Sequence, residues 1–271
     1  MAQTADVVIV GGGVIGLASA FYIARERFGG AASGRVVVLE REAVTGAGAT
    51  GKNAGGIRAQ FSTAENILFS LRSIEVFERF KEETGSGLVF HQCGYLFLQT
   101  TPEQVARFER QAELQRSLGA DVRIMTPSEI KELAPALKVD DVLAGNFFGR
   151  DGIADPGDVC MGYYNACKRA GVDVRVGHAV TGIEMVGDTI VSVQTDKGEF
   201  ATNTVINAAG PYAREIARMV GYGLDVQPVK RQIVTTGALD FIGEDFPMVV
   251  DVSSGVYFHR ETPGLLMGWA D

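Results

Sequence analysis

The chain of 271 residues has few of the side chains that bind metals or form disulfides. It contains three cysteines, three histidines and one tryptophan, and the cysteines and histidines do not recur at a metal-ligand spacing. Cys160 and Cys167 are seven residues apart on a predicted helix, which is too far for a disulfide within that helix. We therefore predict no metal site. Free thiols indicate a reducing compartment and favour the cytoplasm.

The chain also lacks an excess of positive charge, because it has 25 basic and 33 acidic residues and a net charge of −8. Nucleic-acid binding needs a basic face, so nucleic acid is excluded as the main partner. Residues 7–24 are apolar enough to resemble a membrane span or a signal. They have no basic residue before them, however, and contain four glycines suited to a nucleotide turn. We predict no membrane span.

The first forty residues predict a dinucleotide-binding βαβ unit. An apolar strand at residues 6–10 leads into the Gly-x-Gly-x-x-Gly sequence of residues 11–16. A helix is predicted over residues 14–27, and a second apolar strand at residues 36–39 ends at Glu40. The carboxylate of Glu40 is suited to accept hydrogen bonds from a ribose diol. The alternative is a glycine-rich turn in some other α/β protein.

Each glycine of this motif has a predicted structural role. Gly11 permits the tight turn, and Gly13 lets a pyrophosphate approach the backbone. Gly16 lets the helix pack against the preceding strand. The positive end of the helix dipole then points to the phosphates.

The order of predicted elements indicates an α/β fold with two interleaved domains. A Rossmann-like domain with a central, mostly parallel sheet is predicted at residues 1–86 and 142–223. A mostly antiparallel α+β substrate domain is predicted at residues 87–141 and 224–271.

A long amphipathic helix is predicted over residues 64–83, with Thr63 as the N-cap and Gly85 as the stop. Its apolar positions recur at helical spacing and are expected in the core. These positions are Ile67, Leu68, Leu71, Ile74, Val76, Phe77 and Phe80.

Three segments together resemble the D-amino acid oxidase-like (DAO) flavoproteins: the glycine turn, residues 151–156 (DGIADP) and residues 205–211 (VINAAGP). The branch of the sarcosine oxidase β-subunit, glycine oxidase and dye-linked L-proline dehydrogenase is the most similar. The resemblance runs from residue 5 to the C-terminus, and it implies FAD as the cofactor. The family continues beyond the position of Asp271, so we expect this chain to lack the C-terminal part of the substrate domain and of the flavin pocket.

The resemblance also implies where the cofactor binds. Residues 47–58 match the segment that lies along the flavin in this family, and their small side chains and free backbone N–H groups suit close approach to a flat ring. A flexible surface loop is the alternative. The backbone of Val180 is implied to contact the adenine, although a plain core valine would fit the pattern too. Residues 208–210 are implied to end a strand under the cofactor, with tight strand–helix packing as the alternative. The implied cofactor-binding residues are Gly11, Gly13, Val14, Ile15, Gly16, Glu40, Arg41, Ala49, Thr50, Lys52, Asn53, Ala54, Gly55, Gly56, Val180, Ala208, Ala209 and Gly210.

Two residues are implied to act on the substrate. Arg58 resembles the arginine that holds the substrate carboxylate, a role suited to a planar two-pronged donor. Tyr257 lies on a predicted strand that resembles the substrate-facing strand, with His259 on the same face. A surface arginine and a structural tyrosine are the alternatives. We do not expect His259 or His91 to be a catalytic base.

The resemblance implies oxidation of a small secondary or N-methylated amino acid, such as sarcosine or proline, by hydride transfer to flavin N5. Leu266 falls about where related oxidases carry a lysine that promotes reaction with oxygen, which favours a dehydrogenase. A redox carrier other than oxygen is therefore the favoured electron acceptor, with oxygen as the alternative. Partner subunits are also compatible with this interpretation. The enzyme alternatives are a glycine or D-amino acid oxidase and a hydroxy-acid or glycerol-phosphate dehydrogenase. The non-enzyme alternative is an inactive nucleotide-binding fragment or an electron-transfer subunit.

Overall fold

The computed structural model describes residues 3–261 and 263–269. Its strands are β1 (Gln3–Thr4), β2 (Val7–Val10), β3 (Val36–Leu39), β4 (Gly56–Ile57), β5 (Phe90–His91), β6 (Tyr95–Gln99), β7 (Arg123–Met125), β8 (Ala144–Phe148), β9 (Gly152–Ala154), β10 (Asp173–Arg175), β11 (Val180–Val186), β12 (Thr189–Thr195), β13 (Gly198–Ala201), β14 (Val205–Asn207), β15 (Ile233–Thr235), β16 (Met248–Asp251), β17 (Val256–Glu261) and β18 (Gly264–Trp269). Its helices are α1 (Val14–Phe28), α2 (Ala64–Glu78), α3 (Phe80–Thr84), α4 (Pro102–Ser117), α5 (Pro127–Leu133), α6 (Pro156–Arg169) and α7 (Ala213–Arg218), with short 3-10 turns at Thr50–Lys52 and Gly210–Tyr212.

The chain forms two compact units. The first unit consists of Met1–Asn53, Phe80–Leu88 and Pro156–Val229. The second unit consists of Ala54–Arg79, Val89–Asp155 and Lys230–Asp271. These units differ from the predicted domain boundaries chiefly at residues 54–79 and 142–155, which fall in the second unit. The reason is strand pairing, because β4 pairs with β9 and β8 pairs with β6.

The first unit contains the predicted parallel sheet, in the order β10-β3-β2-β14. All residues of β2 and β3 are buried, as expected for strands covered on both faces. The other sheet of this unit has the order β1-β13-β12-β11, and its β11–β12 hairpin turns between Val186 and Thr189. The predicted fold class is confirmed.

The second unit is built mainly on antiparallel pairs. Its larger sheet has the order β15-β18-β17-β16-β6-β8-β7, in which β16 and β6 form a parallel pair. A smaller antiparallel sheet has the order β4-β9-β5. An apolar cluster that includes Leu96, Ile130 and Val249 forms the core of this unit beside the larger sheet.

The helix predicted over residues 64–83 is interrupted at Arg79, which separates α2 from α3. Helix α3 still ends just before Gly85, whose φ of 69° suits a glycine stop. The prediction that Leu68 lies in the core is wrong, because Leu68 is 50% exposed. Helix α2 buries Ile67, Ile74 and Val76. Ile67 and Ile74, seven residues apart, lie on one line, and Leu68 is turned about 100° away from it, whereas Val76 is buried on another side near the end of the helix.

No helix in the described part of the chain is long and apolar enough to cross a membrane.

Candidate cofactor and substrate sites

The glycine turn of the first unit forms a backbone bend that excludes side chains. Gly11 has a φ of 112°, a backbone conformation that residues with a side chain rarely adopt. A Cβ on Gly11 would also overlap the carbonyl oxygen of Ala208. A Cβ on Gly16 would overlap the carbonyl oxygen of Gly11. The space at the start of α1 therefore depends on these two glycines.

The N-terminus of α1 fits a pyrophosphate. Its N-cap, Gly13, has no side-chain cap, and the first turn contains no acidic residue. The hydroxyl of Thr50 accepts a hydrogen bond from the Val14 N–H at 3.1 Å. Ile15, in the same turn, is 67% exposed. Backbone donors, the positive end of the helix dipole and a neighbouring hydroxyl are the groups that bind phosphates at helix N-termini.

Glu40 helps to hold the glycine turn in place. One carboxylate oxygen accepts a hydrogen bond from the Gly12 N–H at 2.7 Å, and the other accepts from the Glu42 N–H at 2.9 Å. Each carboxylate oxygen can accept a second bond, so a ribose hydroxyl is still a suitable partner. Arg41, next in the chain, places its guanidinium 3.7 Å from the centre of the Tyr212 ring.

Two later segments lie beside this turn in the first unit. The His178 N–H donates to the carbonyl oxygen of Glu40 at 2.8 Å, two residues before Val180 begins β11. The Ala208 N–H donates to the carbonyl oxygen of Val10 at 2.9 Å and brings residues 208–210 next to Gly11. The structure thus brings the predicted ADP-binding elements of the first unit together.

The predicted flavin loop is divided between the two units. Ala49, Lys52 and Asn53 are exposed in the first unit, at the 3-10 turn Thr50–Lys52. Ala54, Gly55 and Gly56 open the second unit.

Within the second unit, this segment is fixed by backbone pairing. The Ala154 N–H donates to the Gly55 carbonyl oxygen at 3.0 Å. Gly55 has a φ of 70°, so a glycine is favoured there.

A pocket of about 350 Å³ lies in the second unit around Arg58. This volume is close to the lower end of the usual range for small-molecule sites. The pocket is lined by Gly56, Ile57, Arg58, Phe61, Ser70, Ser73 and Tyr95. The guanidinium of Arg58 lies 4.7 Å from the ring centre of Phe61 and 5.4 Å from that of Phe97. These aromatic contacts hold a half-buried cation in a small pocket.

Tyr257 packs against an apolar cluster of the same unit that contains Tyr95, Phe97 and Met248. Arg58 lies over Phe97, so the structure brings both predicted substrate residues to this cluster. Tyr257 on β17 is paired with Gly268 on β18, and a Cβ on Gly268 would overlap the Tyr257 ring.

Sequence reasoning missed Tyr95, which is 5% exposed, and burial raises the pKa of its phenol. It also missed Phe61 and Phe97, the rings that hold Arg58. The available signal was the alternation of Tyr95 and Phe97 along β6, which points both side chains to one face.

The histidines and cysteines make structural contacts. The ring nitrogens of His259, which is 1% exposed, lie 2.7 Å from the carbonyl oxygen of Arg260 and 3.0 Å from that of Ala54. His91 contacts the carbonyl oxygen of Glu244 at 3.1 Å. The three cysteines are free and buried, and burial raises the pKa of each thiol. Among residues 3–261 and 263–269, no three His, Cys, Asp or Glu side chains cluster as metal ligands would.

The sequence was compared with known families. The model of the family described as "FAD dependent oxidoreductase" (DAO) matches residues 6–271. The chain belongs to the DAO family. The predicted family and cofactor are therefore confirmed, because this family is FAD-dependent.

Three relatives show how much of a DAO protein this chain represents. Mitochondrial dimethylglycine dehydrogenase of Rattus norvegicus is 33% identical over 97% of this chain, which covers 30% of that protein. Sarcosine oxidase subunit beta of an Arthrobacter species is 30% identical over 82% of this chain and 55% of that protein. The crystal structure of L-proline dehydrogenase from P. horikoshii superimposes with a TM-score of 0.87 at 30% identity, over 99% of this chain and 70% of that one. The chain thus spans about a third of the dimethylglycine dehydrogenase that it matches.

Proposed function

We propose that the protein containing this chain uses FAD to oxidise a small secondary or N-methylated amino acid of the sarcosine or proline kind. The observation that carries this proposal is the half-buried Arg58 in its small aromatic pocket. A fixed cation beside apolar rings suits a ligand with one carboxylate and a short apolar body. Relatives named as dimethylglycine dehydrogenase, sarcosine oxidase subunit beta and L-proline dehydrogenase support the same substrate class.

In this proposal, the residues of the first unit hold the ADP part of FAD. Gly11, Gly13 and the first turn of α1 receive the pyrophosphate, and Glu40 receives the ribose. Arg41, Val180 and residues 208–210 flank the adenosine. Ala49, Thr50, Lys52, Asn53, Ala54, Gly55 and Gly56 flank the flavin.

The substrate residues act by binding and orientation. Arg58 pairs with the carboxylate, which fixes the C–N bond offered for oxidation, and the Tyr257 hydroxyl is a second donor. The aromatic lining excludes water and strengthens this ion pair. Bound FAD supplies the hydride acceptor. The amine is neutral when it reacts. Loss of hydride from carbon gives an iminium ion. A secondary amine also loses its N–H proton and gives an imine, whereas a tertiary amine such as dimethylglycine remains an iminium ion. Water hydrolyses either product, except that the imine stays cyclic for proline.

Anaerobic flavin reduction tests the proposed activity. Sarcosine, dimethylglycine, proline, glycine, D-alanine and glycerol 3-phosphate are each added to the FAD-loaded protein, and the visible flavin absorbance is followed. We expect bleaching by at least one of the first three. Bleaching only by glycine or D-alanine, or only by glycerol phosphate, would instead support one of the alternative activities. No bleaching by any compound would contradict the assignment as an enzyme of this class.

Leu266 provides a test of the electron acceptor. It is half-buried on β18, opposite His259 and on the same sheet face as Tyr257. We propose that the apolar side chain disfavours oxygen as the acceptor. The change Leu266→Lys is expected to speed reoxidation of the reduced flavin by oxygen by about tenfold or more, because a cation stabilises developing superoxide. Stopped-flow mixing with oxygenated buffer measures this rate. Leu266→Met is the neutral control, and an equal rate in all three proteins would contradict the proposal.

The proposals of partner subunits and of a cellular compartment each rest on one observation. The name of the sarcosine oxidase relative includes a subunit designation, which supports the proposal of partner subunits. The free, buried thiols support a reducing compartment such as the cytoplasm. Some relatives are named as mitochondrial proteins, so fractionation of the source cells decides between the two compartments.

A further inference from the structure

Asp151 is a buried acidic residue to which the proposed mechanism gives no role. It is 0% exposed and lies just before β9 in the second unit. Its neighbour Arg150 does not neutralise it, because the Arg150 guanidinium bonds to both carboxylate oxygens of Glu78 at 2.8–3.0 Å. A carboxylate removed from water requires other partners.

Strand register sets Asp151 opposite Arg58. Ile57 on β4 is paired with Gly152 on β9 in an antiparallel register. Continuing that register by one residue places Arg58, which follows β4, across from Asp151, which precedes β9. Burial raises the pKa of Asp151, and the positive charge of Arg58 offsets part of that rise.

The carboxylate of Asp151 binds the two residues that follow Arg58. One oxygen accepts the Ala59 N–H at 2.7 Å, and the other accepts the Gln60 side-chain amide at 3.1 Å. The same Gln60 nitrogen donates to the carbonyl oxygen of Tyr95 at 2.9 Å. This network links the segment after Arg58 to the strand that carries Tyr95 on the pocket wall.

We propose that Asp151 is the positioning residue of Arg58: its carboxylate fixes residues 59 and 60 and so holds the guanidinium in place for the substrate carboxylate. This inference rests on the proposed function of Arg58. Both carboxylate oxygens accept N–H donors. Protonation turns one of these oxygens into an O–H donor, so only the ionised form makes both bonds and holds the segment at both points. Binding of a carboxylate ligand is therefore coupled to the charge of Asp151.

The coupling has a defined sign. Burial raises the pKa of Asp151 to about 7, against the lowering effects of the Ala59 N–H, Gln60 and Arg58. Tyr95 and Cys93 are the other titratable groups that interact electrostatically with this carboxylate. Burial raises the pKa of both, so both stay neutral near pH 7. The bound anion and the ionised carboxylate repel each other, but we expect the ordering of residues 59 and 60 to outweigh this repulsion. Affinity for a carboxylate ligand is then expected to rise as the pH increases through about 7 and to level off above it.

Acetate is a suitable probe, because it has no amine and is ionised throughout this range. Its dissociation constant is measured on the FAD-loaded protein from the perturbed flavin spectrum, between about pH 6 and about pH 8.5. In Asp151→Asn we expect binding about tenfold weaker than wild type at the upper pH, equivalent to about 1.4 kcal/mol, and no change with pH. Glu78→Gln is the matched control, because it removes a carboxylate of the same unit that binds Arg150 and Gln92. It is expected to bind acetate as wild type does at each pH.

Several results would overturn the inference. Asp151→Asn binding within twofold of wild type, or wild-type affinity that falls with rising pH, contradicts the positioning role. If Asp151→Asn does not fold, Gln60→Met interrupts the same network and is expected to weaken acetate binding without removing a charge; unchanged binding there also overturns the inference. If an amino acid reduces the flavin of the wild-type protein, but these variants bind acetate as the wild type does, only this inference fails. If wild type neither binds acetate nor is reduced by any amino acid, the proposed function itself fails.

Discussion

Replacing Arg58 with leucine is expected to lower kcat/KM for the amino acid substrate by about 100- to 10,000-fold, mainly through a higher KM. The reason is the loss of two charge-assisted hydrogen bonds to the carboxylate, each worth about 1.5–3 kcal/mol. Leucine also leaves the rings of Phe61 and Phe97 around an apolar group, which does not attract an anion. Steady-state kinetics with the substrate found by anaerobic reduction measure the effect.

Two control variants separate this role from a general effect of losing an arginine. Arg58→Lys keeps the charge but not the planar pair of donors, so about a tenfold loss is expected. Arg107→Leu removes an exposed arginine of the same unit that also lies over a phenylalanine, Phe108 at 5.2 Å. It is expected to leave KM unchanged. If Arg58→Leu also leaves KM unchanged, Arg58 does not bind the substrate carboxylate.

The first unit could be predicted well from the sequence because its signals are local. The strand, the glycine turn and helix α1 are contiguous, and α1 ends one residue beyond its predicted end. Apolar runs, glycine spacing and caps are all read within a short window. The hairpin at Gly187 is predictable for the same reason, since two alternating strands flank a turn sequence.

The surroundings of Arg58 could not be predicted in the same way. Strands β4 and β9 have only two and three residues, which is too short for a periodic pattern. The hydrogen bond from Ala59 to Asp151 joins residues 92 apart in the sequence. Such contacts follow from the pairing of distant strands, and one sequence contains no local signal for that pairing. The resemblance predicted a substrate-binding role for Arg58, but it did not predict the rings or the carboxylate around it.

The failure at Leu68 has a different origin. The stripe predicted from spacing was wider than the face that α2 buries, because apolar residues also occupy its exposed side, as the 73% exposure of Phe69 shows. Apolar atoms commonly remain on protein surfaces, so spacing alone does not define the edge of the buried face.

Gly16→Ala is expected to destabilise the first unit by about 3 kcal/mol or more and to weaken FAD binding. The added methyl group would overlap the carbonyl oxygen of Gly11, a backbone atom in the turn between β2 and α1. Gly11 cannot easily yield, because its φ of 112° and its contact with Ala208 fix the turn. Relief therefore requires α1 to move away from β2, which opens the packing of the parallel sheet and displaces the helix N-terminus proposed for the pyrophosphate.

Urea unfolding followed by circular dichroism, together with FAD titration by flavin fluorescence, measures both effects of Gly16→Ala. Gly223→Ala is the matched control, because Gly223 is exposed in the same unit and a Cβ there meets no atom within 4 Å. Its stability is expected to stay within about 0.5 kcal/mol of wild type. A stable Gly16→Ala protein that has lost FAD would place the effect on the phosphate site alone. A protein with unchanged stability and unchanged FAD affinity would contradict the close approach of α1 to the glycine turn, on which the proposed cofactor site depends.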